Sequence, residues 1–398
     1  MNLMTAKKPG MPGMKNRVAL CACGSYDPSA LDEAIAQAAA FAEFPDIAGK
    51  RILVKPNILK AAAPEKAVTT HPEFLAAVLR FLRAKGAASL AVGDSPAFQG
   101  GLGAAKTAGL YQAAIDDGAS WIDFAPGPQR PAPGAKLVKS FALATALDDC
   151  DMVVNLPKLK THRLMKYTGA IKNLFGLIPN LGKSGMHLRF RDTLSFGTML
   201  VDLALSITPC FTFMDGIVAM EGEGPGDGDP FTLGAVLASP SVAALDWIAA
   251  SCVGYDPRRL PYLVDAIARE GFDPGTPGLE VGPKSVEEMA AKGFNLLPYG
   301  GSTSAALSAI PAFARPLMTK LLTDRPIFHP DRCTGCSACV KVCPAEALAL
   351  GKNARGQHQI RIDDKACITC FCCHEVCPSH AISVGKVLSR KLEERKEP

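Results

Sequence analysis

No stretch of this chain offers the roughly 20 uninterrupted apolar residues that a membrane-spanning helix needs. The opening, Met1 to Arg17, carries Lys and Gly but lacks the apolar core of a secretory leader, so a cytoplasmic location is expected. Aromatic residues are scarce at 7%, and the formal charge of +5 is slight for 398 residues. The one basic segment is not interleaved with aromatics for base stacking, which argues against a nucleic-acid partner. No Gly-x-Gly-x-x-Gly follows the first strand, so a dinucleotide site lacks support. Gly176 to Ser184 ends in Gly-Lys-Ser, but five residues separate Gly176 from Gly182 where a phosphate-binding P-loop has four, and no clear helix follows. A disulfide framework is missing too. Of 14 cysteines, nine lie between Cys333 and Cys377 and five are scattered, the distribution of a metal module in a reducing compartment.

What is present is a globular composition, with 48% hydrophobic and 20% charged residues, on a chain long enough for two domains. Short apolar runs alternate with helical patterns. Strands are expected at Val18 to Cys23, Arg51 to Val54, Ser89 to Val92, Trp121 to Phe124, Met152 to Asn155, Phe211 to Met214 and Thr232 to Leu237. Helices are expected at Ser29 to Phe44, Pro72 to Lys85, Thr193 to Ile207, Ser241 to Val253 and Tyr262 to Glu270, with a capping box from Thr70 to Glu73. This order predicts an α/β fold: a mostly parallel sheet with crossover helices over residues 17–297, after a flexible start at 1–16. Residues 298–325 read as a linker with a helix at Ala312 to Leu322. Residues 326–386 read as a small α+β module like a bacterial ferredoxin, and 387–398 as a charged tail.

The module repeats itself. Cys333, Cys336, Cys339 and Cys343 precede Pro344, and Cys367, Cys370, Cys373 and Cys377 precede Pro378. Both runs fit Cys-x2-Cys-x2-Cys-x3-Cys-Pro, in which the fourth cysteine ligates the other cluster. Two [4Fe–4S] clusters are therefore expected, one on Cys333, Cys336, Cys339 and Cys377, the other on Cys367, Cys370, Cys373 and Cys343. Cys372 is left over as a packed thiol.

In the larger part, Asn155 to His187 sets Lys158, Lys160, His162, Lys166, Lys172, Lys183 and His187 among Gly and Pro after a strand end. Loops at the carboxyl ends of parallel strands form ligand crevices, so these cations suggest an anionic substrate or cofactor. Lys55 with Asn57, Asp94 with Ser95, and Asp215 with Glu221 sit at other strand ends. His162, His187, Asp215 and Glu221 are of the types for acid–base work, or for an additional Zn, Fe or Mn ion if they converge. The acidic, glycine-rich stretch from Gly222 to Asp229 reads as a flexible lid.

KPN at Lys55 to Asn57, GDSP at Gly93 to Pro96, NLPKLKTH at Asn155 to His162, TGAIKNLFGLIP at Thr168 to Pro179 and DGIVAMEGEGP at Asp215 to Pro225 resemble the DUF362 family. That family is a domain of unknown function often joined to ferredoxin-type clusters. The resemblance implies that these five segments form a shared site. The leading expectation is an iron–sulfur oxidoreductase that exchanges electrons with a soluble donor or acceptor protein and passes them to a bound anionic small molecule or organic cofactor. In it Lys158, Lys160 and Lys172 clamp the anion, Asn173 and the polar strand ends line the pocket, and His162 or His187 supplies a proton. The alternatives are a carrier or docking subunit of a larger redox complex, and a non-redox metal-dependent or acid–base enzyme with structural or sensing clusters.

Overall fold

The computed structural model describes residues 16–96, 100–271, 274, 278–299 and 324–386. The linker helix expected at Ala312 to Leu322 lies outside them. A strand apolar on both sides belongs in a sheet covered on both faces, and the early strands read this way. Along β1 (Asn16–Ala22), Val18 and Leu20 enter one core while Ala19 and Cys21 enter the other. α1 (Pro28–Phe41), β2 (Arg51–Pro56), α2 (Pro72–Ala84), β3 (Ser89–Val92), α3 (Gly101–Thr107), α4 (Leu110–Asp116) and β4 (Ser120–Trp121) complete the first wing. A hairpin of β5 (Pro126–Pro131) and β6 (Ser140–Ala144) leads to β7 (Met152–Leu156), β8 (Lys158–His162) and β9 (Lys166–Thr168). Then follow α5 (Ala170–Asn173), α6 (Gly182–Arg189), α7 (Thr193–Ala204), β10 (Cys210–Glu221), β11 (Asp229–Ser239), α8 (Val242–Cys252), α9 (Pro261–Glu270) and β12 (Leu279–Pro283).

The sheet order is β12-β1-β11-β10-β7-β2-β3-β4, with β8 paired to β10 and β9 to β8. Most pairings are parallel; β11 runs antiparallel to both β1 and β10, and β9 antiparallel to β8. From β2 the chain fills β3 and β4 on one side, then returns to β7 on the other. Such a reversal opens a crevice beyond the carboxyl ends of β2 and β7.

Several local expectations are corrected. The helix beginning at Gly182 exists, although the sequence offers it no side-chain cap. The cap of α2 is His71, whose Nδ1 accepts from Glu73 N, and not Thr70. Thr70 Oγ1 instead accepts from Asn57 N at 2.8 Å and donates to Leu156 O at 2.7 Å, tying the loop after β2 to β7. Much of the supposed basic loop after β7 is strand: β8 is buried at every residue, with Lys158, Lys160 and Thr161 all finding polar partners.

The C-terminal segment folds as β13 (Asp324–Phe328), α10 (Ala338–Val342), β14 (Leu348–Lys352), β15 (His358–Ile362), α11 (Cys372–Val376) and β16 (Ile382–Lys386). β13 pairs with β16 and β14 with β15, both antiparallel. The repeat survives in the backbone. Left-handed residues recur in pairs, Gly335 with Thr369, Ser337 with Phe371 and Glu346 with His380, at the same offset that relates Cys333 to Cys367. These positive-φ turns bend each cysteine run around a cavity.

Candidate functional site

The crevice is built on an ion pair. Lys55, at the end of β2, is fully buried with Nζ 2.8 Å from Asp94 Oδ1. Asp94, following β3, accepts from Ile58 N and Ser95 N, both at 2.8 Å. Gly176 closes over the pair; a Cβ there would lie 2.3 Å from Asp94 Oδ1, so only glycine fits. Asn173 Nδ2 donates to Asn155 Oδ1 at 2.8 Å, and its Oδ1 accepts from Asn57 Nδ2 at 3.0 Å. Asn57 Oδ1 is buried without a hydrogen-bond partner. The short helix α5, which carries Lys172 and Asn173, is anchored by buried Asp246. That carboxylate accepts from Ala170 N at 2.6 Å, Ile171 N at 2.9 Å and Tyr167 Oη at 3.1 Å.

These groups, with Lys160, Lys172, Lys183, Ser184 and His187, line an open cleft of about 710 Å³. Lys172 is half-buried and has no hydrogen-bond or ion-pair partner among the described residues. Lys183 Nζ donates to Ile178 O at 2.8 Å and Ser95 Oγ at 3.1 Å, and Lys160 Nζ to Val68 O at 2.9 Å. Burial brings Lys160 down to about 7, with the Lys172 charge adding and Glu375 and Asp94 opposing. Burial likewise brings Lys183 to about 7, against Asp94 and with help from Lys55 and Lys172. His187, stacked on Phe196 at 4.2 Å, is held to about 3 by burial and by Lys172. It is therefore neutral at physiological pH and unsuited to giving up an imidazolium proton.

Four of the candidate residues are placed elsewhere. Lys158 Nζ lies 2.8 Å from Asp215 Oδ2 and donates to Tyr26 Oη at 2.7 Å, while Tyr26 Oη donates to Asp215 Oδ1 at 2.9 Å. Tyr26 also stacks on His71 at 3.6 Å, so Lys158 and Asp215 form a satisfied pin between loops and do not line the cleft. Glu221 accepts from Asn295 N at 2.6 Å. His162 is fully buried; its Nδ1 accepts from Leu164 N and Met165 N, and its Nε2 faces Glu375 Oε1 at 3.3 Å. Burial pushes its pKa well down, so it too is neutral. Among the described residues, no three His, Cys, Asp or Glu side chains converge on a single-ion site. The metal site imagined for His162, His187, Asp215 and Glu221 therefore does not assemble.

The far wall of the cleft comes from the C-terminal segment, through Val342, Cys372, Glu375 and Val376. A polar seam holds this wall. Lys60 Nζ lies 2.7 Å from Asp227 Oδ1 and donates to Cys377 O at 3.1 Å, and His380 Nδ1 lies 2.7 Å from the same carboxylate oxygen. Arg163 Nη2 donates to Val384 O at 3.0 Å and pairs with Glu223. The stretch expected as a flexible lid is thus a strap between the two parts. Its Gly224 passes so close to Thr161 that a Cβ would lie 2.4 Å from Thr161 O. Lys183, one of the cations expected to face an anion, does line the cleft, whereas Ser184 gave no signal because the Gly-Lys-Ser spacing is wrong for a P-loop. Glu375 carried no signal at all.

Within the C-terminal segment, Cys333, Cys336, Cys339 and Cys377 line one cavity of about 410 Å³. Cys343, Cys367, Cys370 and Cys373 line another of about 350 Å³, with Cys372 in its wall. Cys343 Sγ accepts from Ala347 N and Cys377 Sγ from Ala381 N, each at 3.3 Å, as thiolates bound to iron would. Four sulfurs around a cavity, with no three converging on one ion, suit a cube of iron and sulfide better than zinc.

The family described as a domain of unknown function (DUF362) matches residues 52–251, half of the chain. The chain belongs to the DUF362 family. A 4Fe–4S dicluster domain matches residues 332–381, which supports an iron–sulfur electron-transfer role for this DUF362 protein. It is 37% identical over 227 residues to a thylakoid-associated protein of Synechocystis sp., covering 57% of this chain and 70% of that one. Over 40 residues it is 50% identical to the benzylsuccinate synthase activating enzyme of Thauera aromatica, 10% of this chain and 12% of that one. Among solved structures, the lactate racemase apoprotein of Thermoanaerobacterium thermosaccharolyticum matches with a TM-score of 0.38 at 11% identity, over 58% of this chain and 56% of that one. The chain thus spans little more than half of that structure. Among the described residues, no helix is long and apolar enough to cross a membrane.

Proposed function

We propose that this DUF362 protein is an iron–sulfur oxidoreductase acting on an anionic small molecule held in the cleft. The observation that carries the reading is the position of the dicluster domain: it forms one wall of a cleft whose other walls present Lys160, Lys172 and Lys183. Cys333, Cys336, Cys339 and Cys377 would hold one [4Fe–4S] cluster, and Cys343, Cys367, Cys370 and Cys373 a second. Such clusters supply electrons one at a time.

The chain's own residues do the rest. Lys172, with no ion-pair partner among the described residues, supplies positive charge that attracts the anion. Ser184 and Asn57 offer hydrogen bonds, and Asn57 Oδ1, buried and unpartnered, suits a donor on the ligand. Lys160 and Lys183, near pH 7 in the empty cleft, can hold a proton at Nζ and release it to a molecule that gains negative charge on reduction. This role passes to the lysines because both histidines are neutral.

The test is calorimetric titration of anaerobically purified protein with small dicarboxylates and phosphate esters, followed by mixing each binder with the dithionite-reduced protein. Oxidation of the reduced protein by a bound anion is expected, and Lys172→Gln should weaken binding about ten- to a hundredfold, the worth of one charged hydrogen bond. If wild-type protein binds no anion, or no binder oxidises it, the reading fails.

A further inference from the structure

The two cysteine-lined cavities meet the cleft differently. Cys372 lines both the cleft and the cavity of Cys343, Cys367, Cys370 and Cys373. Val342, the neighbour of Cys343 in sequence, lies in the cleft wall as well. The cavity of Cys333, Cys336, Cys339 and Cys377 shares no lining residue with the cleft, and its Cys336 is exposed to solvent. The surroundings differ too: Cys372 packs against Cys370, and the Arg325 guanidinium reaches Cys367 O from Nη1 at 3.5 Å.

Resting on the reading above, we propose that the two cavities are an outer and an inner electron station. The cavity of Cys333, Cys336, Cys339 and Cys377 is the outer one, where a one-electron carrier protein docks over Cys336. The cavity of Cys343, Cys367, Cys370 and Cys373 is the inner one, separated from the bound anion by little more than Cys372. Each passage oxidises the reduced carrier by one electron and reduces the molecule in the cleft by one. The electron coupling between two centres falls steeply with the gap between them, so the shared wall decides which station serves the cleft. The Arg325 guanidinium beside Cys367 favours the same direction, because positive charge beside a cluster raises its potential.

Cys372 is a positioning residue in this scheme. Cys372→Ala removes a polar thiol from the wall of the inner cavity, and Lys172→Gln removes a positive charge from the cleft beside it. The experiment is a redox titration of the full-length protein followed by electron paramagnetic resonance. In both variants one of two cluster signals should shift to lower potential while the other stays in place. The signal that moves should be the one altered by Cys370→Asp and untouched by Cys336→Asp. If the signal tied to Cys336 moves, or both move equally, the assignment of stations is wrong. Should Cys372→Ala lose iron, Lys172→Gln, which alters no cysteine, still gives the answer. Failure of the anion reading is seen separately, as absence of binding of any of the dicarboxylates and phosphate esters to wild-type protein by calorimetry, and leaves the potentials to decide the stations.

Discussion

Two lysines poised near pH 7 in one cleft should make anion binding strongly pH-dependent. Lys160 faces Lys172, Glu375, Lys158 and Asp94, and Lys183 faces Asp94, Lys55 and Lys172. Both have folded pKa values lowered from 10.5 to about 7, so both are charged below that pH and neutral above it. An anion in the cleft stabilises the ammonium forms and raises both values again. Binding above pH 7 must therefore draw protons from solvent, approaching about two per anion, and affinity should fall about tenfold per lysine for each pH unit. The same shift sets a stability trend without ligand. The unfolded chain takes up these two protons as the pH falls below 10.5, whereas the folded chain waits until about 7, so the stability these groups cost grows as the pH falls through that window and stays in full below it, and oxalate should restore it. Oxalate is a suitable probe because its charge is constant above about pH 6. Calorimetry in paired buffers of different ionisation enthalpy reads the proton uptake directly, and Lys183→Met should halve it. An oxalate affinity that is flat between about pH 6 and about pH 9, with no uptake, would refute the electrostatic account of the cleft.

Two further outcomes follow from packing. Gly176→Ala places a methyl group against the Lys55–Asp94 pair, 2.3 Å from one carboxylate oxygen and 2.7 Å from Lys55 Nζ. Anion binding should drop at least tenfold, and thermal melts should show a loss of about 2 to 4 kcal/mol, the range for disturbing a buried charge pair. Cys373→Ala should lower the iron content of anaerobically purified protein by about half, whereas Cys372→Ala should leave it unchanged; the reverse result would move the ligand by one residue.

Parts of this architecture could be read from local pattern because local chemistry dictates them. Ser89 to Val92 is a strand with the expected bounds, since a short apolar run between a helix and a Gly-Asp turn has few other uses. The cysteine runs are legible for a stronger reason: a loop must return its sulfurs to one cavity, and only certain spacings allow it. The basic segment was opaque because alternation cannot identify partners. Lys158 and Lys160 sit two apart and share a strand face, yet one meets Tyr26 and Asp215 while the other reaches Val68 O and the cleft.

The same limit governs His162, expected beyond a strand end as a proton donor and found buried within β8. Its Nε2 faces Glu375, a residue of the C-terminal domain whose own carboxylate is pushed upward by burial against the lowering charges of Lys172 and Lys160. Nε2 of His162 and Oε1 of Glu375 have no hydrogen-bond partner by strict geometry, although they face each other at 3.3 Å. Two buried polar atoms left loosely matched across a seam cost stability, and folds tolerate that mainly where a site requires it. The seam is the place where the dicluster wall closes the cleft, so the departure from local pattern and the proposed chemistry coincide. A sequence records such coincidence only as polar residues in strands that ought to be apolar, which is how Lys55, Asn155, Lys158, Lys160 and His162 stand in β2, β7 and β8.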